Sequence, residues 1–156
     1  MHTRPLIIQF IFNLTEENIM ADYYVKTLTN YFSVTDEEKY KRTIAGCDAT
    51  ANIEIVTRDH EDGTVKYGFY CNGSIWGLFE EGTEDPNYDL FCESLQQIIP
   101  EGEAVIITEA GWKAMRYLVA NSTIITHKEI KIVNLDDEIT KIAAEMLDEP
   151  DYNPQY

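Results

Sequence analysis

Residues 51–79 read ANIEIVTRDHEDGTVKYGFYCNGSIWGLF, and the reading of this stretch decides the fold. Polar and apolar positions alternate around Ile53 and Ile55, and again through Val65, Tyr67, Phe69 and Cys71. A period of two places one set of side chains on one face of a strand. Between the two runs lies Asp59-His60-Glu61-Asp62-Gly63, which ends in an Asp-Gly pair suited to a tight reversal. The stretch predicts a hairpin. Asn72-Gly73 predicts a second turn, of type I′, and Ser74–Phe79 a third strand, so the three make an antiparallel meander.

Upstream, Pro5–Phe12 is a nearly continuous apolar run, expected as a central strand with both faces covered. No small-residue cleavage site follows it, which favours a strand over a signal peptide. Thr15 is placed to cap a helix over 16–32, with Glu16 and Glu17 in its first turn and Met20, Tyr24, Leu28 and Tyr31 on one stripe. Thr35-x-x-Glu38 is a capping-box pattern ahead of a second helix, 36–45, which stops at Gly46. Only Tyr40 and Ile44 are apolar there, so this helix is expected to lie at the surface.

Downstream, Asp85-Pro86 predicts the start of a helix over 86–99 that buries Phe91, Leu95 and Ile98. A strand over 103–108 follows. Thr108 is then read as the cap of a helix carrying Trp112, Met115, Leu118 and Val119. Ser122–Leu135 returns to strand, with a bend expected near His127-Lys128. Asp136 is expected to cap a last helix with Ile139, Ile142, Ala143, Met146 and Leu147 along one side. The fold class is therefore α+β: a mixed, largely antiparallel sheet with a central meander, packed against three to five helices. Residues 1–147 are expected as a single domain, and 148–156 as a loose acidic tail.

The net charge of −16 is unevenly distributed. From Tyr67 to Trp112, 46 residues contain no Lys or Arg but nine acids: Glu80, Glu81, Glu84, Asp85, Asp89, Glu93, Glu101, Glu103 and Glu109. More than half of the net charge thus comes from under a third of the chain. Such a balance repels nucleic-acid backbones, and the 12 basic residues form no patch in sequence, so direct nucleic-acid binding is not expected. No apolar run reaches the roughly 18 residues of a membrane-spanning helix. The three cysteines, Cys47, Cys71 and Cys92, are odd in number and scattered, which fits reduced core thiols and a cytoplasmic setting.

Individual site signals are weak. His60 sits among Asp59, Glu61 and Asp62, a set able to ligate a divalent ion, but adjacent loop residues rarely all point inward, and a solvated hairpin tip explains them. Cys71 beside a turn is a conceivable nucleophile, and strand alternation already explains it as a small hydrophobe. His127 has no Asp or Cys near it in sequence. No nucleophile elbow, zinc-helix motif, phosphate-binding loop or C-x-x-C pair occurs. No metal, cofactor or catalytic residue is expected.

The charge map points instead to a surface. Glu80, Glu81, Glu84, Asp85, Asp89 and Glu93 are interleaved with Trp76 and Tyr88, and aromatics beside charge suit a protein-docking face. The expected function is a non-enzymatic interaction or regulatory protein that binds a basic or nucleic-acid-binding protein through these residues. One alternative is an inhibitor whose carboxylates imitate the phosphates of DNA and block a nucleic-acid-binding or defence complex. Another is a small enzyme whose site is assembled from residues distant in sequence. The oligomeric state is left open by the sequence.

Overall fold

The computed structural model describes residues 23–113 and 117–154. In chain order the elements are β1 (Tyr23–Thr29), α1 (Glu37–Ala45), β2 (Cys47–Ala49), β3 (Ile53–Asp59), β4 (Val65–Cys71), β5 (Ile75–Phe79), β6 (Pro86–Asn87), α2 (Tyr88–Gln96), β7 (Val105–Lys113), β8 (Tyr117–Ile125), β9 (Ile130–Asn134) and α3 (Leu135–Leu147). Six strands form one sheet in the order β3-β4-β1-β7-β8-β9, and β2, β5 and β6 form a smaller one. All pairings between these strands are antiparallel. The architecture is α+β, as the sequence predicts, with three helices among the described residues. The strand expected over 5–12 and the start of the helix expected over 16–32 lie outside those residues.

The hairpin that opened the sequence reading is β3–β4, paired from Ile53↔Cys71 to Asp59↔Val65. Gly63 takes φ 82° in its turn, and the Asp62 carboxylate accepts from the Thr64 N–H and hydroxyl. The third strand departs from the expected arrangement. β5 leaves the large sheet and pairs with β2 and β6. Asn72-Gly73 is not a type I′ turn, because neither residue takes a positive φ. Gly73 instead packs where an added Cβ would lie 2.6 Å from Thr50 Cβ, and its carbonyl accepts from the buried Thr27 hydroxyl. A meander of consecutive strands is present at the other side of the sheet, in β7-β8-β9.

Two expected helices are strands. A spacing of four puts Tyr24 and Leu28 on one helical stripe, but four is also an even number, so both share one face of a strand. β1 buries Val25 and Thr27 and exposes Tyr24 and Leu28. The helix expected after Thr108 is the β7–β8 hairpin, in which Trp112 and Leu118 are directly paired. Helix starts are shifted as well. Asp36, not Thr35, caps α1 by accepting from the Lys39 N–H, while the Thr35 hydroxyl donates to the Ile98 carbonyl. Pro86 pairs with Phe79 in the small sheet, so Asn87 caps α2. Asn134, not Asp136, caps α3.

The core lies on one face of the large sheet, covered by α1, α2 and the small sheet. α1 is not a surface helix: Tyr40 and Ile44 are buried. The Tyr40 hydroxyl donates to the Gly68 carbonyl at 3.0 Å, so its one polar group is satisfied. Edge-to-face contacts link Tyr40–Phe32–Phe69–Phe91 at ring separations of 5.7, 6.5 and 6.0 Å. Burying each such ring contributes about 2–3 kcal/mol.

Candidate functional site

Strand register builds the first part of the site. Thr27 on β1 lies opposite Glu109 on β7, Glu109 opposite Asn121 on β8, and Asn121 opposite Asn134 on β9. Opposed residues of an antiparallel sheet share a face, so these four form one polar row across the covered face. The neighbouring row holds Ile107, Thr123 and Ile132. α2 and the small sheet do not reach over all of this area. What remains is a half-open cavity of about 310 Å³, floored by these residues and walled by Ile75 and Tyr88.

Tyr88 stands at the first position of α2 and points back onto the sheet. Its hydroxyl is 3.0 Å from Thr123 Oγ1. Burial pushes the phenol well above its ordinary pKa, and Thr123 offsets only part of that. Tyr88 is therefore a neutral hydrogen-bonding group at any physiological pH. Among the described residues, no histidine or cysteine lines the cavity. The described lining offers hydroxyls, amides and one carboxylate between aliphatic walls, groups that can hydrogen-bond a polar group.

The acidic loop forms the second part. Between β5 and β6 the chain turns at Gly82, φ 83°, with the Thr83 N–H donating to the Glu80 carbonyl. Glu80, Asp85 and Asp89 then line one shallow open depression of about 410 Å³, together with Tyr88. Tyr88 thus borders both the cavity and the acidic depression. Glu81 and Glu84 are exposed in the same loop, and Glu93 lies one helical turn beyond Asp89 on α2. Among the described residues, none of these six carboxylates forms an ion pair.

A β-bulge shapes β5, the strand that leads into this loop. Asp48 pairs with Gly77 and Ala49 with Ile75, so Trp76 is an extra residue without a partner. The bulge explains why Ile75 and Leu78, three apart, both pack on the core. It leaves Trp76 and Phe79 each 49% exposed. Gly77 at φ 122° is required here, because a Cβ would lie 2.2 Å from the Asn87 carbonyl oxygen.

The remaining acids of the base-free tract go elsewhere. Glu103 accepts from the Ser33 N–H and hydroxyl and pairs with Lys66. Burial works against its ionisation, but Lys66 and Ser33 outweigh this and hold its pKa below the ordinary value. Glu101 is 3.9 Å from His127. Glu109 sits in the cavity floor. His60 is exposed at the hairpin tip, and no metal-ligating group of three or more side chains occurs among the described residues. Burial raises all three thiols, Cys47 to about 12, Cys92 to about 11, and Cys71 in the same direction. At neutral pH they are protonated and poor nucleophiles.

Of the residues expected from sequence, Glu80, Asp85, Asp89 and Tyr88 are brought around one depression, whereas the cavity row is not among those expected. One signal for that row was available. Val105, Ile107 and Glu109 alternate inward along β7, and a carboxylate at an inward strand position is anomalous. No protein-family model, curated protein or solved structure matches the chain. No helix among the described residues is long and apolar enough to cross a membrane.

Proposed function

We propose that this protein works by binding a basic protein partner at the acidic loop around Tyr88, not by catalysis. The observation that carries the reading is the convergence of Glu80, Asp85 and Asp89 on one depression, at the end of a strand, β5, that leaves Trp76 and Phe79 half exposed. Unpaired carboxylates steer a basic partner over long range, and Trp76 and Phe79 supply the desolvated contacts that hold it. Lys or Arg side chains are the natural occupants of the depression. The cavity on the far side of Tyr88 accepts a second polar side chain.

A nucleic-acid-binding partner fits this surface through its basic groups, and a DNA-mimicking inhibitor is the form of the reading in which that partner's own substrate site is blocked. The test is a pull-down with the intact protein at low and at high salt, repeated with E84K combined with E93K. The expected result is a basic partner retained at low salt, released at high salt and lost with the double reversal. Capture indifferent to both salt and reversal would overturn the reading. Competition by duplex DNA for the same partner would select the mimic form; retention of DNA and protein together would exclude it.

A further inference from the structure

α3 carries an apolar seam that none of the described residues buries. Leu135, Ile139, Ile142 and Met146 recur at spacings of four, three and four, the pattern of a helix-pairing stripe. They are 48, 43, 54 and 82% exposed. The helix rests on the sheet by another side, where Thr140, Ala143 and Ala144 are half-buried, and no residue of α3 is buried. Ile132 on β9, 58% exposed, lines the cavity together with Asn134, and the seam begins at the next residue. The seam runs along the helix for about 20 Å, 13 residues at 1.5 Å each.

Charge says what covers it. At 100° per residue, Glu138 and Glu145 fall side by side along the solvent flank of the seam, two turns apart. Asp136 and Asp137 stand in the first turn, and Asp148 and Glu149 follow the last. Lys141 is the only base on the helix, and Glu138 holds it at 2.7 Å. A second copy would bring these carboxylates against their own kind on a chain of net charge −16. An amphipathic helix with apolar side chains at three- and four-residue spacing and Lys or Arg beside them complements both the seam and its rim.

We infer that the α3 seam and the adjoining cavity edge are the docking groove for a basic amphipathic helix of the partner. This rests on the basic-partner reading and adds a second contact region made of different residues, with a stated partner conformation.

The test uses the full chain and a fluorescent 14-residue Lys/Leu peptide with its leucines on one helical face. Two control peptides are the Glu/Leu counterpart and a Lys/Leu scramble that scatters the leucines. The Lys/Leu helix is expected to bind, and the controls at least about tenfold more weakly. Ile139→Ser with Ile142→Ser should weaken it by at least about tenfold, and Met146→Ser should weaken it to a smaller extent. These side chains are exposed, so circular dichroism and thermal melting should be unchanged; Met146→Ser serves if the double variant unfolds. E84K with E93K should change this affinity by no more than about threefold. Binding lost with the loop variant but indifferent to the seam variants would leave the loop reading standing and overturn the groove. Sedimentation showing a dimer that the seam variants dissociate would overturn it in favour of a second copy. Equal binding of the scrambled peptide would also overturn it.

Discussion

The two faces of the six-stranded sheet differ in charge as well as in burial. The covered face carries the aromatic core, the polar row and, at its margin, the acidic loop. The open face projects Tyr24, Lys26 and Leu28 from β1, Glu54, Val56 and Arg58 from β3, and Lys66 and Tyr70 from β4. Ile106 and Trp112 from β7, Leu118 and Ile124 from β8 and Lys131 from β9 continue it. Four bases stand there against the single acid Glu54 among the described strand positions. Tyr24 and Trp112 stack at 5.0 Å, both nearly half exposed. A chain of net charge −16 therefore has one face on which bases prevail. Strand alternation produces this separation, because neighbours in sequence end up on opposite sides of the sheet. Charge per segment and charge per face are different quantities.

The contrast in burial gives the largest predicted effect. Phe91→Ala on the covered side should cost about 3–5 kcal/mol in urea unfolding, since it opens a cavity in a close-packed core. Leu28→Ala on the open face should cost about 1 kcal/mol or less. Equal losses would mean that the open face is also covered in solution. Next in size is Gly77→Ala, which meets the Asn87 carbonyl and forces a left-handed φ on a residue with a Cβ. It should cost more than about 2 kcal/mol in the same measurement, and a neutral outcome would show that the bulge presenting Trp76 is not a fixed feature.

A smaller effect tests where the two faces meet. Lys66 projects from the open face and is held by Glu103, whose pKa is depressed in the folded chain. The stability this pair contributes is present above the unfolded carboxylate pKa and is lost as pH falls through the lower folded value. Glu103→Gln should cost about 1–2 kcal/mol at neutral pH and flatten the fall in stability below about pH 4.5. An unchanged acid limb in a pH series of urea melts would show that Glu103 does not hold Lys66 in solution.

How much of this was legible in the sequence varies by element. The β3–β4 hairpin was legible because its alternation and its Asp-Gly turn are local and agree with each other. α1, the body of α2 and α3 were legible from periodicity and, for α1, from the stop at Gly46, while each N-cap lies one or two residues from the expected one. β1 and the β7–β8 hairpin were not, since a spacing of four satisfies a helix stripe and a strand face equally, and propensity alone does not choose between them. The acidic loop was visible as composition; that two of its carboxylates and Asp89 of α2 surround one depression was not.

The sequence alone was enough for the fold class, the hairpin, the base-free acidic tract and the amphipathic pattern of α3, all properties of short windows; that its Ile139, Ile142 and Met146 stay exposed while Ala143 turns toward the sheet came from the fold. Only the tertiary structure decided that β1 lies between β4 and β7, and with it the row Thr27–Glu109–Asn121–Asn134. It also decided that β5 leaves the large sheet and leaves Trp76 half exposed at its bulge. The physical reason is that register is fixed by contacts between strands far apart in sequence, as Thr27 is from Glu109. The free energy of such pairing depends on which faces the rest of the chain covers.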